Sequence, residues 1–206
     1  MNPTPTPLRV RPPAVAGAFY AEGPSTLRRE LDAALAQARP VILPVAPKAL
    51  IVPHAGYVYS GPIAASAYSS LATVREHVRR VVLLGPCHRV AVRGLALPGV
   101  DAFDTPLGRV PLDADAIRAL SGLPQVVVSP AAHAREHSLE VQLPFLQRWL
   151  AGFTLVPLAV GDATAAEVAE VIERLWGGDE TLVVVSSDLS HYHRYDDARA
   201  IDAATV

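Results

Sequence analysis

RVVLLGPCHR, Arg80–Arg89, is the stretch whose reading decides the fold. Its apolar run, Arg80–Leu84, carries no polar alternation, so it predicts a strand covered on both faces. Such strands belong to largely parallel sheets flanked by helices. The run then breaks at glycine and proline and delivers a polar pair, Cys87–His88. The same grammar recurs outward along the chain. Ala49–Pro53 (ALIVP) leads to His54, and Thr181–Ser186 (TLVVVS) leads to Asp188 and His191. Further strands are predicted at Gly94–Leu97, Gln125–Val128 and Phe153–Val160.

Helical spacing fills the intervals. Leu27, Leu31, Ala34, Leu35 and Ala38 mark a helix from Ser25, and small residues mark another over Pro62–Leu71. Helices are also expected at Asp113–Leu120, Ser138–Leu150, Thr164–Trp176 and from about Tyr195. Pro144 lies inside the fourth of these six and predicts a kink there, or a restart with Pro144 in the first turn. The expected architecture is a three-layer α/β/α sandwich with a largely parallel or mixed central sheet. Gly94–Pro111 is expected to add an antiparallel hairpin, and Pro40–Pro47 reads as a linker.

With 206 residues, half of them hydrophobic and 18% charged, the chain suits one soluble domain. Residues 1–13 are proline-rich and are expected to form a flexible, extended tail, leaving 14–206 as the domain. Ala198–Val206 stops inside a helical pattern without a cap, so the domain reads as C-terminally incomplete. A formal charge of −2 with scattered arginines provides no footprint for nucleic acid or an anionic membrane. There is no signal-peptide pattern and no apolar run near the roughly 20 residues of a bilayer span. A single cysteine, Cys87, excludes an intrachain disulfide. A cytoplasmic location is the expectation.

Ligand sites in open α/β sheets lie outside the carboxyl ends of the strands. His54, His88, Asp188 and His191 all follow strands, and His137 follows the strand at Gln125–Val128. Packing alone does not explain so many polar strand ends. Asp188 and His191, three apart, can share one side of a tight turn, as a base with its orienting acid or as a ligand with a supporting carboxylate. Ser138 is the expected N-cap of its helix, and Glu140 sits in the first turn, where a carboxylate is favourable. His77, His133 and His193 are assigned to the surface. No glycine-rich phosphate loop supports a nucleotide cofactor. A thiol nucleophile at Cys87, and a serine nucleophile at Ser187 or Ser190 beside His191, find little support without a lowered pKa or a G-x-S-x-G elbow. Imidazoles with a carboxylate suit non-haem iron(II), copper or zinc.

Five motifs occur in one order: PHAGYVYSGPIAA (Pro53–Ala65), LLGPCHR (Leu83–Arg89), FDTPLGRVPLD (Phe103–Asp113), EHSLEVQLPFLQ (Glu136–Gln147) and VVVSSDLSHYHRY (Val183–Tyr195). With the opening RPPAVAGAFYAEGPSTLRREL (Arg11–Leu31), the chain resembles the Memo-like proteins over roughly residues 9–206. In prokaryotes these are called AmmeMemoRadiSam system protein B. The resemblance implies a fold related to the class III extradiol dioxygenases and a metal held by His54 and His88. It implies a further cysteine ligand beyond Val206; Cys87 stands at a serine position of the family. His191 matches a pocket histidine, Asp188 a pocket acid, and His137 and Glu140 fall in the family's E-H-S-x-E segment.

Two functions follow as expectations. The first is an iron- or copper-dependent oxidoreductase of dioxygenase type, with His191 as acid/base and Asp188 orienting it. It would act with AMMECR-type and radical SAM partners. The second is a non-catalytic module that uses the same pocket for a small-molecule, peptide or phosphopeptide-like ligand.

Overall fold

In the computed structural model, residues 7–39 and 44–205 are described. Residues 1–6 of the expected tail and 40–43 of the expected linker lie outside them. A six-stranded sheet forms the centre. In spatial order it consists of β2 (Ala49–Val52), β9 (Thr181–Ser186), β3 (Arg80–Pro86), β8 (Thr154–Val160), β4 (Leu95–Leu97) and β7 (Val126–Val128). The first four run parallel, β4 is antiparallel to β8, and β7 is parallel to β4, so the sheet is mixed.

The two faces follow from the period-2 pleat. Val81 and Leu83 of β3, with Leu182 and Val184 of β9, enter one core, which also takes residues of α1 (Pro24–Ala36), α2 (Tyr57–Ser69) and α5 (Leu143–Trp149). Val82 and Leu84, with Val183, enter a second core against α3 (Ala114–Ala119) and α6 (Ala165–Leu175). Both faces being covered is the reason these strands lack alternation, and the result is the expected three-layer α/β/α sandwich. Among the described residues, no helix is long and apolar enough to cross a membrane.

The expected hairpin is narrower than Gly94–Pro111. It is β5 (Ala102–Thr105) with β6 (Gly108–Pro111), while β4 joins the main sheet. The helix expected at Ser138–Leu150 is a 3₁₀ turn at Glu140–Gln142 followed by α5, with Pro144 in the first turn of α5, where its missing N–H costs nothing. Two elements escaped the sequence reading. A short helix, α4, covers Pro130–Ala134, and the first strand, β1 (Val10–Arg11), pairs in parallel with β5. The tail reading therefore does not hold for Val10 and Arg11: Arg11 is buried, with its guanidinium paired to Glu140. The last helix, α7 (Tyr195–Thr205), starts where the sequence placed it.

Candidate metal centre

Because β2, β9 and β3 are neighbours running in one direction, their carboxyl ends lie together. They bring His54, the Asp188 turn and His88 to one edge of the sheet. A third histidine reaches the same place from the segment between α4 and the 3₁₀ turn. That segment crosses the end of β3 closely: the Ser138 hydroxyl donates to the Pro86 carbonyl at 2.8 Å. Ser138 is thus a tether to β3, not the helix cap expected of it. Gly85 permits the approach, since a Cβ there would lie 3.0 Å from the side chains of Ser138 and Leu139.

His54, His88 and His137 each offer a ligand atom, and these atoms all lie within 4.8 Å of one another. The ring centroids are 5.3 Å apart for His54 and His88, 5.6 Å for His54 and His137, and 4.5 Å for the stacked pair His88 and His137. The family resemblance implies His54 and His88 as ligands, with His137 only in the E-H-S-x-E segment; the structure groups all three.

Hydrogen bonding sets which nitrogen each ring presents. Glu136 is buried, and its Oε1 accepts from His88 Nδ1 at 2.9 Å and from the backbone N–H groups of His137 and Ser138, each at 2.9 Å. Its Oε2 accepts from the His88 N–H at 2.6 Å. Burial alone would raise the Glu136 pKa, but these bonds hold it down at about 2. An ionised carboxylate can only accept, so His88 carries its proton on Nδ1 and leaves the Nε2 lone pair free. His54 reaches the same state by another route. The Ser186 hydroxyl lies 2.6 Å from the Ser138 carbonyl, which can only accept, so the serine proton points there. His54 Nδ1, 3.0 Å from Ser186 Oγ, must then donate, and its Nε2 lone pair is free as well. Gln142 Nε2 also donates to Ser186 Oγ, at 2.9 Å, and Tyr68 donates to Gln142 Oε1, at 2.8 Å, completing a buried relay.

His137 has a different surround. Its ring is stacked on His88 and makes a tilted contact with Phe19, 4.6 Å away. Its Nδ1 is buried without a hydrogen-bond partner. Burial lowers the pKa of both His54 and His137, so both rings are neutral at neutral pH, the form that coordinates a metal. Two free Nε2 lone pairs, an unpartnered buried nitrogen and the Glu136 and Asp188 carboxylates close by make a donor set that fits a divalent transition metal. Three imidazoles suit zinc, copper or iron(II).

Asp188 borders this group. Its Oδ1 accepts from the His54 backbone N–H at 2.5 Å, and its Oδ2 lies 3.8 Å from His54 Nε2 and 3.2 Å from His191 Nε2. His191 is open to solvent, as are His77 and His193. A cavity of about 580 Å³ adjoins the turn, walled by Ile51, Tyr59, Ile63 and Leu189, with Asp188 and His191 on its polar side.

Two sequence assignments need revision, and one functional residue is new. His133 is not on the surface: it is 2% exposed, donates from Nε2 to the Ala96 carbonyl at 2.7 Å, and burial pushes its pKa down to about 4. Glu140 spends its carboxylate on Arg11, the Ala14 and Val15 N–H groups and the Tyr20 hydroxyl, all in the N-terminal segment, and none of its bonds goes to the histidines. Glu136 was passed over, although its position next to His137 in E-H-S was the available signal. Cys87 turns away from any such role, its thiol donating to the Val90 carbonyl.

A three-layer α/β/α protein with three imidazoles gathered at parallel strand ends is the class that fold and site define together. Residues 11–206 match the family described as Memo-like protein, and the chain belongs to that family. It is 39% identical over 204 residues to a MEMO1 family protein of Aquifex aeolicus, covering 97% of this chain and 74% of that one. A MEMO1 family protein of Methanothermobacter thermautotrophicus is 36% identical over 212 residues, covering 96% of this chain and 75% of the relative. One of Ignicoccus hospitalis is 40% identical over 207 residues, covering 92% and 71%.

Proposed function

We propose that the protein is a metal-dependent oxidoreductase that binds one iron(II) or copper ion through His54, His88 and His137. The observation that carries this reading is the convergence of three ligand atoms within 4.8 Å, with two of the rings locked in the tautomer that frees Nε2. Such an ion, when bound, supplies a Lewis acid and a one-electron couple. The chain's own residues do the rest. Glu136 and Ser186 orient two imidazoles and increase their basicity. Asp188 accepts the Nε2–H of His191 in a hydrogen bond and leaves His191 Nδ1 to exchange a proton with a ligand in the adjoining cavity. The cavity's apolar wall binds the body of that ligand and excludes water from it. Action beside AMMECR-type and radical SAM proteins belongs to the same proposal.

The cavity also supports a second reading, a module that holds a ligand without turning it over. Its lining includes Asp188 and neither lysine nor arginine, which favours an uncharged ligand over a phosphorylated one. Anaerobic purification followed by metal analysis tests the first reading. The expected result is near-stoichiometric metal that is lost in His54→Ala and His88→Ala. Full metal in both variants overturns the ligand set. Metal-free protein that binds apolar ligands favours the module, and oxygen uptake with catechol-like compounds separates turnover from binding.

A further inference from the structure

The N-terminal segment is tied to the ligand-bearing loops more tightly than its proline-rich sequence predicts. Arg11, 5% exposed, sends Nε to the His133 carbonyl at 2.7 Å, Nη2 to the Glu136 carbonyl at 2.7 Å, and Nη1 to Glu140 Oε2 at 2.6 Å. One guanidinium thus grips the backbone on both sides of the stretch that leads into Glu136 and His137. Glu140 then carries the anchor back to the segment through the Val15 N–H, at 3.0 Å, and the Tyr20 hydroxyl, at 2.6 Å.

Between those two points the chain makes a tight turn. Gly17 takes φ +81°, which a side chain rarely adopts, and a Cβ there would meet the Glu22 carboxylate at 2.8 Å. The product of the turn is Phe19. Its ring lies 4.6 Å from that of His137 and is tilted 39° to it, and its carbonyl accepts from the Tyr57 N–H at 2.8 Å, at the start of the helix that follows His54. His137 has no hydrogen bond to either ring nitrogen comparable to those that orient His54 and His88; its Nδ1 makes no hydrogen bond and lies 3.4 Å from Glu136 Oε1. Aromatic packing replaces the hydrogen bond.

We propose that Arg11–Tyr20 is a strap that sets the third imidazole, with Phe19 as the positioning residue that clamps His137 against His88. The inference rests on the metal reading for its consequence, since a clamped ring is a pre-oriented ligand. It assigns the strap a task beyond covering the core, and it explains why Glu140, though no part of the pocket, lies three residues from His137.

Phe19→Ala is the test. Arg11→Ala is unsuitable, because it leaves Glu140 buried without its cation and destabilises the whole fold for that reason. Cobalt(II) titration of the whole protein reads affinity and the visible ligand-field bands together. The expected result is an affinity weaker by about tenfold in Phe19→Ala, with altered band intensity, and recovery of both in Phe19→Tyr. Affinity and bands identical to wild type overturn the strap. A second measurement needs no metal: the rate at which diethyl pyrocarbonate acylates His137 in the apo-protein, mapped by peptide mass spectrometry. It is expected to rise several-fold in Phe19→Ala and to return in Phe19→Tyr, and an unchanged rate overturns the clamp. If wild type takes up no cobalt, the metal reading fails, and the acylation rate alone then decides the strap.

Discussion

His54 and His191 both flank Asp188, yet they sit in opposite surroundings. The His54 side chain is 5% exposed, with Nδ1 held by Ser186, whereas the His191 side chain is 55% exposed and held by Asp188 alone. The contrast extends to their neighbours. His88, itself 39% exposed, is held by the buried Glu136 carboxylate, and His137 packs on Phe19 and His88, while the Asp188–His191 turn faces an open cavity. A rigid half suits fixed geometry around a cation; a half with one restraint suits a group that must meet different ligands and move a proton. The division of labour between metal binding and acid/base work is read from that difference.

The comparison breaks most severely at Glu136. Glu136→Ala leaves the His88 and Ser138 N–H groups without their acceptor and frees the His88 ring. Metal affinity is expected to fall by about 10–100-fold, and urea melts should show a loss of about 3 kcal/mol. An unaltered affinity would remove the carboxylate from the account of the rigid half.

Acid should act mainly on the buried side. His133 titrates at about 4 in the fold against 6.5 unfolded, because burial disfavours its cation. The unfolded chain therefore takes up the proton first. Stability is full above about pH 6.5 and declines as pH falls towards 4, by about 3 kcal/mol from this residue. His54 and His137, with pKa values lowered by burial, act in the same direction. Glu136, at about 2 against 4.5, stabilises above pH 4.5 and loses that contribution only below it. Stability curves of wild type and His133→Gln should differ in slope between pH 6.5 and 4; parallel curves would contradict the assignment.

Ser186→Ala is a smaller intervention. It removes the acceptor that fixes the His54 tautomer, and a loss of about tenfold in metal affinity is expected by titration. Asp188→Asn should be the smallest in metal affinity, within about twofold, since an amide oxygen can still accept the His54 N–H. Any turnover should nevertheless drop steeply, because with Oδ1 kept by the His54 N–H the amide nitrogen faces His191 Nε2 and cannot accept its proton. Equal losses in binding and turnover would erase the distinction between the two halves.

Much of this was legible in the chain itself, for physical reasons. Runs such as Val81–Leu84 and Leu182–Val185 lack alternation because each face meets its own core, so strands and layers could be read directly. The polar residues after them marked the right edge of the sheet. What failed was long-range polar pairing. Arg11 looks like part of a solvated tail until Glu140, 129 positions away, supplies its partner. His133 looks exposed until the Ala96 carbonyl and Arg11 enclose it. Glu140 and Glu136 occupy one short segment and look alike in sequence; only the fold shows that one anchors the strap while the other orients the ligands.

The central claim is that His54, His88 and His137 form one ligand set. X-ray absorption of the zinc-loaded protein tests it most directly by counting imidazoles around the metal. Wild type should fit three imidazole nitrogens at about 2.0 Å, and His137→Ala should fit two. A spectrum unchanged by removing His137 would contradict the account.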